Sequence, residues 1–145
     1  MGFFAKKVYD EDLCFVRDLI EMGSAVASVT SVPVMQRVIN DIINRNNLQA
    51  KLQEFANNQN YNVQDSYPAD RQKRFTRAGE LLSISKQIGL STEQGAPIIY
   101  RALTLVKNMG FSYDEKVRLI KTYLIDCSGN SQIDDFLIEP YIGLL

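Results

Sequence analysis

Residues 84–109 read ISKQIGLSTEQGAPIIYRALTLVKNM. Where the chain turns inside this stretch decides what kind of helical protein it is. One apolar-periodic run ends at Gly89 and a second follows. If the second helix starts right after Ser91, Gly95 and Pro97 lie inside it. If it starts near Gly95, both sit at its beginning. A proline in a helix interior loses a backbone hydrogen bond and clashes with the preceding turn, at a cost of about 3 kcal/mol. An interior glycine adds roughly 1 kcal/mol. In a first turn the proline costs nothing, because its missing N–H has no partner there anyway. The sequence therefore predicts a helix that stops at Gly89, a loop over 91–94, and a new helix from about Ala96 to Met109.

The choice bears on function. The segment ISKQIGLS, residues 84–91, resembles the turn of helix-turn-helix DNA-binding proteins. Ile84, Ser85, Ile88 and Leu90 fall where that motif places apolar, small, apolar and apolar residues around its glycine. Its second helix would enter the major groove by its N-terminal residues. Here those residues would include Thr92, Glu93 and Gln94, and Glu93 would be repelled by phosphate. The preferred partition removes that helix. Nucleic-acid binding is therefore kept as the alternative, through non-specific and salt-sensitive phosphate contact.

Working outward, the 96–109 helix is the most apolar of the chain. Ile98, Ile99, Ala102, Leu103, Leu105, Val106 and Met109 leave Arg101, Thr104 and Asn108 as a narrow polar strip. Such a helix belongs at the centre of a bundle, contacted on most sides. Elsewhere apolar residues recur at helical spacing, and no stretch alternates like a strand. The 145 residues suffice for one domain, able to bury roughly 70% of its unfolded surface without disulfide or metal. The expected fold is all-α: a single domain over 1–145, an irregular bundle of five or six helices.

Asp10 is the expected cap of the first helix, with Glu11 and Asp12 in its first turn. Leu13, Val16, Ile20 and Ala27 are its expected buried face. Gly23, Ala27 and Ser31 are four apart and let another helix come close. Packing within the molecule is the favoured use of this face, and a seam between copies is the other. A second helix starts near Pro33 and carries two apolar stripes. One is Met35, Val38, Ile39 and Ile42; the other is Leu48, Leu52 and Phe55. Between them NRNN, residues 44–47, predicts one long helix with a kink or short break. Residues 33–44 and 97–108 match at a fixed offset, with Pro, Arg and Asn in common. They read as two core helices started alike, not as a repeat.

Residues 57–70, NNQNYNVQDSYPAD, show no period and are expected to form a flexible polar loop in which Tyr61 and Tyr67 are exposed. The next helix, about Ala69 to Ile88, packs Arg71, Lys73, Arg74 and Arg77 into its first two turns. Cations there oppose the helix dipole. Gly110 should end the central helix, and Ser112 with Glu115 forms a capping box for the next. That helix turns Val117, Ile120, Leu124 and Cys127 inward. A last apolar helix is expected from about Ser131.

Net charge is −1 but unevenly spread. Residues 1–70 carry six basic and nine acidic side chains, net −3. Residues 71–107 carry seven and two, net +5, and residues 108–145 three and six, net −3. The basic middle either meets a partner with an acidic surface or complements the chain's own acidic helices.

The chain has no histidine, which excludes His-based triads and the common zinc sites. No Gly-rich phosphate-binding loop is present. Residues 126–137 resemble an EF-hand calcium loop at Asp126, Ser128, Asn130 and Asp134. Ser131 replaces the turn glycine and Leu137 the bidentate Glu, so no metal is expected there. Cys14 and Cys127 lack the spacing of a metal or redox motif and are expected as buried, reduced thiols. No cofactor is expected. The longest uncharged run, Met22–Gln36, is too short to span a bilayer and contains Pro33, so no membrane association is expected. The N-terminus lacks the apolar core of a secretory signal, and a cytoplasmic location is expected.

With no assembled catalytic group, the expected function is a non-catalytic protein-binding domain, an adaptor, inhibitor or regulatory partner. Its binding residues are expected to be Tyr61, Tyr67, Arg71, Arg74 and Arg77.

Overall fold

Asp10 stands in extended conformation before the first helix, and its Oδ1 accepts the Leu13 N–H at 3.0 Å. That bond satisfies one of the orphan donors of a helix start. It begins α1, Glu11–Val26. The computed structural model describes residues 6–27, 30–58, 60–64, 67–91, 93–128, 141 and 143, and for 122–128 the backbone alone. After α1 come α2 (Val32–Arg45), α3 (Gln49–Asn57), α4 (Arg71–Gln87), α5 (Ala96–Val106) and α6 (Tyr113–Ser128). The described residues thus form an all-α bundle of six helices, with one small sheet beside it.

The partition of residues 84–109 is the expected one. Helix α4 ends at Gln87, and Gly89 takes a left-handed φ of 73°. A short turn follows, closed by reciprocal bonds: Gln94 N–H to Ser91 Oγ at 3.2 Å, and Ser91 N–H to Gln94 Oε1 at 3.1 Å. Helix α5 then begins at Ala96 with Pro97 in its first turn. It ends at Val106, three residues sooner than expected, and buries Ile98, Ile99, Ala102, Leu103, Leu105 and Val106.

The helical stretch expected from Pro33 to break or kink at NRNN has a short break there and forms α2 and α3. Asn47 adopts φ 54°, a left-handed conformation that asparagine tolerates better than most residues. The chain breaks there, and the Asn46 amide bonds both Ile42 O and Glu80 Oε2 at 2.9 Å. Leu48, at the break, is buried. Two apolar stripes rotated against each other are the sequence trace of this bend.

The polar stretch 57–70 is partly ordered structure. Strand β2, Tyr61–Gln64, pairs in parallel with β1, Lys6–Tyr9, in the register Lys6–Tyr61, Lys7–Asn62, Val8–Val63 and Tyr9–Gln64. Each strand has four residues, too few to alternate visibly. Val63 is buried and Val8 packs against the core, which fixes the face that points inward.

Helix α5 packs on α4, α1 and α6, as a central helix should. Helix α4 reaches more of the bundle, touching α1, α2, α5 and α6. Most of the first half of α1 is enclosed: Leu13, Cys14, Phe15, Val16 and Leu19 have no exposed surface, while Asp12 and Arg17 are partly exposed. Ile20, expected in the core, is 39% exposed. Gly23 lies against α2, where an added Cβ would stand 3.2 Å from Ile39 Cδ1. Ser31 caps α2 through the Val34 N–H, and Ala27 ends α1. Gly23 thus serves the expected packing inside the molecule, and Ser31 stays exposed as the cap of α2. The EF-hand-like residues 129–137 and the last helix expected from Ser131 lie outside the described residues. Tyr141, which is described, is buried with its ring edge-on to Tyr100 at 5.2 Å.

Candidate functional site

The four cations at the head of α4 were the strongest electrostatic signal, and each meets a carboxylate of this chain. Arg74 has no exposed surface. Its Nη1 donates to Glu11 Oε2 at 2.6 Å and its Nε to the Leu105 carbonyl at 2.8 Å. Arg77, also buried, donates to Asp12 Oδ1 at 2.6 Å and approaches Glu11 Oε1 at 3.4 Å. Its guanidinium lies 4.9 Å from the Phe15 ring centroid. Lys73 Nζ sits 2.7 Å from Asp12, and Arg71 Nη2 2.9 Å from Glu115 on α6. The acids that favour the start of α1 thus also neutralise the cations that disfavour the start of α4. Burial works against ionised Asp12, but its bonds to Lys73 and Arg77 hold its carboxyl below the usual range. Arg74 and Arg77, expected as binding residues, are interior residues and present no surface to a partner.

A second polar group lies deeper along α1. Asp18 is fully buried beside Arg17 at 3.2 Å and Arg101 at 3.5 Å. Arg17 also donates to the Val63 carbonyl, and Arg101 to Glu21. Burial pushes the Asp18 carboxyl up to about 6, against the pull of Arg17 and Arg101. The Cys14 thiol is buried in the same place, with Arg17 Nη2 at 3.2 Å. Sequence reasoning passed over Asp18. Its trace is a carboxylate four residues after Cys14, inside the run of buried positions 13–19.

Arg71 alone of the three arginines reaches the surface, and it borders a recess. A cavity of about 560 Å³ opens between α4 and α6. Phe75 and Phe111 make its floor with ring centroids 4.8 Å apart, and Leu119 closes one side. The Arg71 guanidinium lies 4.0 Å over the Phe111 ring. Arg118, exposed on α6, stands on the rim and makes no ion pair among the described residues. Past the end of α5 at Val106, Asn108 at φ 67° and Gly110 at φ 81° turn the chain so that Phe111 meets Phe75 of α4. Ser112 and Glu115 then start α6 by their reciprocal bonds, 3.1 and 3.4 Å. The same Glu115 holds Arg71, so the expected capping box doubles as part of the rim. Neither Phe111 nor Arg118 was singled out from sequence. An aromatic directly after Gly110 was the available signal.

The two tyrosines separate. Tyr61, expected to be exposed, is half-buried in β2 with Lys6 Nζ 5.8 Å from its ring centroid. Tyr67 is 67% exposed and stacks on Tyr9, itself 53% exposed, with centroids 6.0 Å apart. Among the described residues no group of three metal-ligating side chains comes together, and no helix is long and apolar enough to cross a membrane.

The class that fold and site define is a small helical bundle with an internal ion network and one aromatic-floored recess. The chain matches no family model, no curated protein and no solved structure. Its function is read from its own geometry.

Proposed function

We propose that this protein is a non-catalytic protein-binding domain whose α4–α6 recess takes an apolar side chain of a partner. A carboxylate next to that side chain would meet Arg118, since Arg71 on the same rim is already held by Glu115. The observation that carries the reading is the Phe75–Phe111 floor with a guanidinium stacked over it, open to solvent beside an exposed arginine. Its volume is in the range of recesses that hold a few side chains. Aromatic and arginine side chains are the types that dominate binding energy at protein interfaces. The partner surface is accordingly acidic and apolar together. The alternative, nucleic-acid binding, draws less support once Arg74 and Arg77 are counted as interior residues. Cytoplasmic residence belongs to the same proposal, since the buried Cys14 thiol would stay reduced there.

The test is affinity capture from the native host with three baits: the wild-type chain, Arg71→Glu with Arg118→Glu, and Arg37→Glu on the exposed side of α2. A protein retained by the wild type and Arg37→Glu but lost with the recess variant supports the reading. A captured partner indifferent to the recess charges contradicts it. So does recovery of nucleic acid that dissociates with salt.

A further inference from the structure

The β1–β2 ribbon is an incomplete sheet. Two strands of four residues are too few for a sheet to stand alone, and this one rests on the bundle through Val8 and Val63. In a parallel pair every second residue of a strand directs its N–H and C=O away from the neighbour. Strand β1 has β2 on one edge. On the other edge, among the described residues, none of the Lys6–Tyr9 backbone groups is bonded. Such an edge is a template for another strand.

The side chains along it say which strand. Lys6 and Lys7 are both exposed, and among the described residues neither forms an ion pair with an acid; Lys6 Nζ lies 5.8 Å from the Tyr61 ring centroid. A second copy adding through the same edge would bring four lysines into one short ribbon, and like charges across strands are destabilising. An acidic segment would meet them favourably. Beyond the lysines, Tyr9 and Tyr67 present a stacked pair at the end of the strand, on the face away from the core. Aromatic surface at that place suits an apolar or aromatic residue of an incoming strand.

We infer that the open edge of β1 is a strand-addition site for an extended acidic segment of a partner protein, held by backbone bonds to Lys6–Tyr9, by Lys6 and Lys7, and by the Tyr9–Tyr67 pair. Main-chain bonds supply affinity in this mode, and side chains select the partner. The site lies apart from the α4–α6 recess, and either assignment stands or falls without the other.

The test uses the full chain and a capped ten-residue peptide alternating Glu and Val, with one central Tyr. Two control peptides are the same sequence with Lys for Glu, and the acidic sequence N-methylated at every second residue. Titration followed by amide exchange should show protection within Lys6–Tyr9 on adding the acidic peptide. Affinity should fall roughly tenfold in Lys6→Glu with Lys7→Glu, an exposed pair whose replacement leaves the core alone. The N-methylated peptide, left with one hydrogen-bonding edge, should bind more weakly, and Arg118→Glu should have no effect. The inference is overturned if the acidic peptide leaves these amides unprotected, if the Lys peptide binds as well, or if the chain pairs with itself through β1.

Discussion

At Asp18 burial outweighs the neighbouring charges. Its carboxyl sits at about 6 in the folded protein against 3.8 in its ordinary state, because burial outweighs the help of Arg17 and Arg101. Between about pH 4 and 6 the folded chain therefore holds a proton there that the unfolded chain has released. Stability contributed by this group is present below pH 4 and is lost as pH rises to 6, by about 3 kcal/mol. Asp10 and Asp12 run the other way. Burial opposes both, but Lys51 and the Leu13 N–H hold Asp10 down, and Lys73 and Arg77 hold Asp12 down. Their contribution is present above pH 4 and fades in more acid solution. Urea unfolding at pH 4.5 and 7.5 should show Asp18→Asn gaining on the wild type at the higher pH. Parallel pH profiles for the two would mean that Asp18 titrates normally. The same residue marks a limit of sequence reading: periodicity places position 18 on α1, but whether a carboxylate there is solvated depends on Arg101, 83 residues along the chain.

At the scale of elements, the boundaries rest on local chemistry and were mostly legible. Pro33 and Pro97 open helices, Gly89 follows the end of α4, and Asp10 and Ser112 cap starts, whereas α5 ends at Val106, four residues before the glycine expected to stop it. Ser112→Ala should cost about 1 kcal/mol through loss of the bond to the Glu115 N–H. It should also loosen the Arg71–Glu115 pair on the recess rim. Denaturation of the variant measures the first effect, and an unchanged midpoint would show that α6 does not depend on its cap. What escaped sequence reading was the non-local part. The strands β1 and β2 lie more than fifty residues apart and are too short for a pattern, so their pairing has no local signature. Helix α4 was underestimated for the opposite reason. Its Arg74 and Arg77 count as polar in any periodic pattern, yet both lie in the core, so a helix with an inward face along its length reads as half solvated.

Over the whole molecule, the segregation of charge into acidic, basic and acidic thirds acquires a structural meaning. The acids of α1 and α6 and the cations of α4 close on each other, Glu11 and Asp12 with Lys73, Arg74 and Arg77, and Glu115 with Arg71. This places three elements distant in sequence against one another and withdraws Arg74 and Arg77 from solvent, while Arg71 and Lys73 stay partly exposed. The overall all-α class followed from periodicity, whereas the site did not. Of the five residues expected to bind, Arg71 and Tyr67 remain at the surface, one on the recess and the other beside the open strand edge. The central claim is that the cations of α4 are held by the chain's own acids and serve its fold. A double-mutant cycle in urea on Glu11→Gln and Arg74→Met tests it most directly. Removing one partner of a buried pair should cost about 3–5 kcal/mol, and removing both should cost less than the two losses together by about 2 kcal/mol or more. Additive losses, or small losses from either change alone, would contradict the internal network and return these arginines to a partner.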